Sequence, residues 1–201
     1  MSTESPAASD RSGEGGLVII GASTGGVRAL GILFGNLPWL NASLVLVQHM
    51  PAYIQPSFLR SLAQQTPMQV RMAEDGMLLQ PGTILLAPAG LHTVLEQNRR
   101  VRLVSGPRVN FVCPAVDVTM KSVVPPAANT PLIGVLLTGM GRDGADGMVH
   151  LKRLGAKTLA QDEASCAVFG MPKEAWNAGG VDLLLPPDKL ARRLAQWAGP
   201  S

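Results

Sequence analysis

Val18-Ile19-Ile20-Gly21-Ala22-Ser23-Thr24-Gly25-Gly26 is an apolar run that breaks into a turn of small residues around Ser23. Leu17 to Ile20 are branched or apolar and read as a buried strand. Gly21, Gly25 and Gly26 permit a tight reversal, and Val27-Arg28-Ala29-Leu30-Gly31-Ile32-Leu33-Phe34 continues with apolar residues at helical spacing. A strand that turns sharply into a helix leaves Ser23 at the carboxyl edge of a sheet. There the unpaired N–H groups and the partial positive charge of a helix N-terminus lie close by. Such a place suits a nucleophilic serine or a bound phosphate.

Outward from this turn, strands and helices alternate. Ser43 to Gln48 is a second buried strand, stopped after His49 by Pro51. Pro56 opens a helix through Phe58, Leu59 and Leu62, Met68 to Met72 is a short strand, and Thr83 to Ala87 is another. Thr93 to Glu96 and Val101 to Val104, separated by Gln97-Asn98-Arg99-Arg100, read as an antiparallel hairpin whose tip is a solvated arginine cluster. Pro114 opens a helix through Val116, Met120 and Val123, ended by Pro125-Pro126. Leu132 to Leu137 is the strongest strand signal and runs into the glycine-rich turn Thr138-Gly139-Met140-Gly141-Arg142-Asp143-Gly144. A helix from about Ala145 to Leu154, strands Lys157 to Gln161 and Val181 to Leu185, and helices at Pro172 to Asn177 and Asp188 to Trp197 complete the chain. The rhythm predicts an α/β fold: a doubly wound, mainly parallel sheet of about seven strands with an added antiparallel β-hairpin. Ligand sites in such a sheet lie beyond the carboxyl ends of the strands.

Composition narrows the function. At 201 residues and 46% hydrophobic content, the chain can bury one sizeable core, and one domain is expected over 17–198. Residues 1–16 hold no apolar core for a signal peptide and read as a flexible tail. The longest apolar runs are strand-length, well short of the roughly 20 residues of a spanning helix, so no membrane insertion is expected. Cys113 and Cys166 could form at most one disulfide and carry no ligand spacing, which points to a reduced, cytoplasmic setting and no metal. The net charge of +3 is densest at Arg99, Arg100, Arg102 and Arg108, with no aromatic residues interleaved. That pattern supports no nucleic-acid surface and is compatible with steering an acidic protein partner.

Ser23, His49 and Asp143 each follow a strand, and in a parallel sheet those ends point the same way. A serine nucleophile needs a base to take its proton, and the base needs an acid to fix its tautomer and stabilise its cation. The same residues also have plainer readings. Ser23 could cap its helix, His49 could be an ordinary strand-end histidine, and Asp143 could cap the helix that follows, with Asp146 competing for an acidic role. His92 and His150 read as structural, the latter packed in mid-helix, and Met50, Met140, Met148 and Met171 read as core or pocket wall. Gly21-Ala22-Ser23-Thr24-Gly25 fits the G-x-S-x-G elbow of α/β-hydrolases, but the order serine, histidine, acid argues against that family. A nucleotide-binding protein is the first rival reading. No Walker lysine follows the turn, where Val27-Arg28 stands, and the dinucleotide G-x-G-x-x-G spacing is missing.

Four separated blocks together carry a specific resemblance. Gly21 to Gly26, Gln48-His49-Met50-Pro51, Leu137 to Gly144, and Gln161 to Cys166 with Phe169-Gly170-Met171-Pro172 are similar to the catalytic domain of the chemotaxis protein-glutamate methylesterase (CheB) family. The resemblance implies Ser23 as nucleophile, His49 as general base and Asp143 as its orienting acid. It also implies that Thr24 and the backbone of Met140 line the site and support the oxyanion or the histidine. The implied substrates are glutamate γ-methyl esters on the cytoplasmic helices of methyl-accepting chemoreceptors, with deamidation of receptor glutamines by the same chemistry and no cofactor. A non-catalytic receptor-binding protein is the second rival. Two departures stand out. Where family members commonly carry a basic Asn-x-x-x-Pro-Ser-x-Asp stretch, this chain reads Asn110-Phe111-Val112-Cys113-Pro114-Ala115-Val116-Asp117. No receiver domain is expected ahead of the esterase domain, which implies a separate response-regulator partner or a different mode of regulation.

Overall fold

A computed structural model of the protein describes residues 15–125 and 130–199. The strands are β1 (Gly16–Ala22), β2 (Ala42–Gln48), β3 (Gln69–Met72), β4 (Thr83–Leu86), β5 (His92–Leu95), β6 (Val101–Val104), β7 (Leu132–Leu136), β8 (Lys157–Gln161) and β9 (Leu183–Leu185). The helices are α1 (Gly26–Gly35), α2 (Gln55–Ala63), α3 (Val116–Lys121), α4 (Ala145–Arg153), α5 (Met171–Asn177) and α6 (Pro187–Ala198). Seven strands form one sheet in the order β3-β4-β2-β1-β7-β8-β9, and β5 pairs with β6 as a separate antiparallel hairpin. Every pairing in the large sheet is parallel. The expected doubly wound sheet and added hairpin are both present.

A parallel sheet is covered on both faces, so its central strands β2, β1 and β7 bury nearly every residue and alternate between two cores, while the edge strands β3 and β9 stay partly exposed. Val18, Ile20 and Ala22 of β1 face one core with Leu30, Leu33 and Phe34 of α1, Phe58 and Leu62 of α2, and Leu190 and Leu194 of α6. Ile19 faces the other, with Val116 and Met120 of α3, Met148 and Leu151 of α4, and Met171 and Ala175 of α5. From β1 the chain winds outward through β2 to one edge, and from β7 through β8 to the other. The reversal lies between β1 and β7, which places the Ser23 and Asp143 turns on either side of it, where α/β sheets bind ligands.

Several local expectations need correction. The helix expected from Pro114 to Val123 is only α3, because Ala115 is extended (φ −109°, ψ 136°). Val181 and Asp182 precede the last strand, and the Asp182 carboxylate instead accepts from Thr158 N at 2.9 Å. The arginine tip is not uniformly solvated: Arg99, at φ 59°, donates from Nη1 to the Gly15 carbonyl at 2.9 Å and from Nη2 to Ser43 Oγ at 3.4 Å. Cys113 and Cys166 are free thiols, and burial pushes Cys166 up to about 11. No helix among the described residues is long and apolar enough to cross a membrane. The tail expected over 1–16 lies outside the described residues up to position 14, and Gly16 opens β1. Pro126, expected to help end the third helix, also lies outside them.

Candidate active site

Hydrogen bonds carry the sheet's ladder past its strand ends and fix the site's backbone. Ser23 N donates to Thr138 O at 3.0 Å, His49 N to Ala22 O at 3.0 Å, and Leu137 N to Gly21 O at 2.8 Å. The buried Gln48 amide ties two of these ends together, donating to the carbonyls of Ser23 (3.0 Å) and His49 (2.9 Å). Thr138 Oγ1 donates to Thr24 O at 2.9 Å and accepts from Val168 N at 3.0 Å. Gly139 is needed for its lack of a side chain: a Cβ there would meet the Met171 sulfur and come within 2.7 Å of Ser23 Cβ. Gly25, at φ 80°, is the N-cap of α1, and no side chain caps that helix. The capping alternative for Ser23 is therefore unused.

Asp143 is almost completely buried and accepts four hydrogen bonds. Its Oδ2 receives His49 Nε2 at 2.9 Å and Val116 N at 2.7 Å, and its Oδ1 receives Asp117 N and Asn110 Nδ2, both at 3.1 Å. Burial alone would raise its pKa, but His49, the Val116 and Asp117 N–H groups and the Asn110 amide together hold it below the usual carboxylate value. An ionised carboxylate only accepts, so His49 Nε2 carries the proton and Nδ1 is left as the basic nitrogen. Asp143 does cap a helix, but it is α3, far upstream in the sequence, and not α4, whose N-cap is Gly144. Asp146 is occupied on the surface by Arg142 at 2.8 Å and Lys121 at 3.2 Å.

Ser23, Thr24 and His49 line one open cleft of about 510 Å³, walled by Val27, Met50, Pro51 and Ile54. No hydrogen bond joins the Ser23 hydroxyl to the imidazole among the described residues. No hydrogen bond among them uses the backbone N–H of Thr24 or Met140 either. Met140 is 74% exposed and does not line the cleft, which corrects its reading as core or pocket wall. Met148 and Met171 are fully buried as expected, and Met50 packs partly buried against the core. His92 is buried, its Nε2 donating to Pro107 O at 2.9 Å and its Nδ1 accepting from Ala115 N at 3.2 Å. His150 is half-buried and donates from Nε2 to Val123 O at 2.9 Å.

A family model described as CheB methylesterase matches residues 18–194. The chain belongs to the CheB methylesterase family. The crystal structure of the Thermotoga maritima CheB methylesterase catalytic domain superposes with a TM-score of 0.84 at 38% identity, covering 90% of this chain and 98% of that one. A protein-glutamate methylesterase/protein-glutamine glutaminase of Albidiferax ferrireducens is 42% identical over 187 residues, 91% of this chain and 54% of the relative. One from Caulobacter vibrioides is 45% identical over 171 residues, 84% of this chain and 49% of the relative. The chain thus spans about half the length of these CheB-family relatives. Asn110, Asp117 and Gln48 lie inside stretches quoted from the sequence, yet nothing in their spacing announced their contacts. Asn110 reaches both carboxylates, donating to Asp117 Oδ2 at 2.7 Å as well as to Asp143. Burial raises the Asp117 pKa, opposed in part by the Gly147 N–H.

Proposed function

We propose that this chain is a protein-glutamate methylesterase that hydrolyses glutamate γ-methyl esters on the cytoplasmic helices of methyl-accepting chemoreceptors. The observation that carries the reading is the buried, ionised Asp143 bonded to His49, which shares a cleft with Ser23 at the sheet's switch point. In this mechanism Ser23 Oγ attacks the ester carbonyl while His49 Nδ1 takes its proton. The tetrahedral oxyanion is met by the N–H groups of Thr24 and Met140, near the positive end of α1. The C–O bond to methoxide then breaks, and His49 returns the proton so that methanol leaves. Water adds to the acyl-Ser23 ester by the same base, and the products are glutamate and free Ser23. Asp143 stays ionised throughout, holding the imidazole and stabilising its cation.

The same route accepts a glutamine side chain, releasing ammonia in place of methanol, in keeping with the second activity in the relatives' names. It uses no metal or organic cofactor. Residues 17–198 act as the esterase unit, and the setting is the cytoplasm. The test is methanol release from a methylated cytoplasmic receptor fragment, with ammonia release from its glutamines measured in parallel. Methanol production proportional to enzyme concentration is expected. No methanol above the uncatalysed rate, across several receptor fragments, would overturn the reading.

A further inference from the structure

Phe111 is the most exposed large apolar side chain among the described residues, at 91%, and its backbone sits at φ 68°. Both features work against stability: aromatic surface stays in water, and a bulky residue rarely adopts the left-handed region. Phe111 and Asn110 (φ 51°) are the central residues of a tight turn whose flanking Val109 and Val112 exchange two backbone hydrogen bonds at 3.1 Å. Positive φ at both positions is the type I′ pattern, in which glycine is the favoured second residue. The turn is bolted to the site, because the Asn110 amide donates to Asp143 and Asp117. Arg108 Nη1 also reaches the Phe111 carbonyl at 3.5 Å. Strain that the surroundings over-determine, beside reacting groups, points to function.

Exposure elsewhere follows the same pattern. The next most exposed large apolar residues are Tyr53 (83%), Met140 (74%) and Val27 (54%), while the others are at 46% or below. Val27 follows Ser23, Tyr53 follows His49 and Met140 precedes Asp143, so apolar exposure concentrates on the segments next to Ser23, His49 and Asp143. Among the described residues, Arg28 is the one permanently charged side chain lining the cleft, and Arg108 flanks the Phe111 turn. This charge suits an acidic partner segment.

We propose that Phe111 is a specificity-determining residue: a rigidly mounted aromatic knob that packs on an apolar side chain of the acidic protein segment presenting the glutamyl ester. For the identity of that substrate the proposal rests on the esterase reading. An anchor of this kind, buried on contact, gives preference for the protein segment over a free ester of the same chemistry.

The experiment compares wild type, Phe111→Gly and Phe111→Leu on a methylated receptor fragment and on the γ-methyl ester of N-acetylglutamate amide. The ratio of kcat/KM on the fragment to that on the small ester is expected to fall about tenfold in Phe111→Gly and to recover largely in Phe111→Leu. Phe111→Gly should melt no lower than wild type, since glycine relieves the turn. A binding arm uses Ser23→Ala with and without Phe111→Gly, and the Kd for the fragment should weaken about tenfold. An unchanged ratio with unchanged Kd would overturn the proposal. So would equal losses on both substrates with a lowered melting temperature, which would assign the turn a structural role. Concentration-dependent dimerisation abolished by Phe111→Gly, with the ratio intact, would assign the knob to a second copy of the chain and also overturn it. If wild type cleaves neither substrate, the esterase reading fails, and the binding arm alone supports or overturns the role of Phe111.

Discussion

Replacing Asp143 by asparagine removes a charge while keeping the side chain's shape, and the structure sets what that costs. The side chain is 4% exposed and surrounded by donors: His49 Nε2 and Val116 N on one oxygen, Asp117 N and Asn110 Nδ2 on the other. An asparagine must present its NH₂ group to one of these pairs. If it faces Asp117 N and the Asn110 amide, two buried donors lose their acceptor, at about 1–3 kcal/mol each. If it faces His49 and Val116 N, one backbone donor is orphaned and the imidazole can respond only by changing tautomer. Its proton then moves to Nδ1, the nitrogen that must be free to accept from Ser23. Stability should fall by roughly 2–6 kcal/mol in the first case and about 1–3 kcal/mol in the second, and the smaller loss leaves an ordinary domain of about 5–15 kcal/mol folded at 25 °C. With the tautomer wrong, or with no charge to stabilise the imidazolium, kcat should fall about 10³–10⁴-fold. Methanol release at saturating receptor fragment, with urea unfolding followed by circular dichroism, measures both numbers. A folded Asp143→Asn protein with kcat within tenfold of wild type would mean that neither the imidazole's tautomer nor the charge beside it matters to the reaction.

Acid should erase much of the stability difference between wild type and Asp143→Asn. The carboxyl's folded pKa lies below its ordinary 3.8, so its stabilisation is fully present above that value and is lost as pH falls through the folded pKa. Urea midpoints of the two proteins should therefore converge between pH 5 and about pH 2. Gly139→Ala drives a methyl group against Met171 and toward Ser23 Cβ, so a stability loss of about 1–3 kcal/mol is expected. A misplaced nucleophile should lower kcat by about 10²-fold, checked by the same methanol assay. Gln48→Leu removes the amide that ties the Ser23 and His49 carbonyls and should cost about 1–3 kcal/mol in urea unfolding, with kcat falling more than the KM for receptor fragment changes.

The sequence made the sheet legible because strands buried on both faces read as continuous apolar runs. Ile19-Ile20, Val45-Leu46-Val47 and Ile133 to Leu136 are such runs, each closed by glycine or proline near its carboxyl end. Glycine turns after β1 and β7 likewise marked where Ser23 and Asp143 would stand. What stayed illegible was tertiary. That Asp143 caps α3 and not its neighbour α4 depends on the distance between two helices, and no local pattern records it. The Asn110 clamp on two carboxylates depends on a turn with positive φ at Asn110 and Phe111, where the second residue is one that propensity disfavours. Arg99 looked like one member of an exposed cluster, but its guanidinium folds back to meet Gly15 and Ser43. Met140 looked apolar enough to bury, yet its side chain is exposed while its neighbour Gly139 packs tightly against Ser23 and Met171.

The central claim is that the Ser23 hydroxyl is the nucleophile, and methanol release by Ser23→Ala tests it most directly. The hydroxyl makes no hydrogen bond to His49 among the described residues, so its removal should leave the His49–Asp143 pair and the fold intact. The variant should bind the methylated receptor fragment with wild-type affinity and release methanol at least about 10³-fold more slowly. Methanol release by Ser23→Ala at the wild-type rate would contradict the assignment of Ser23 as nucleophile.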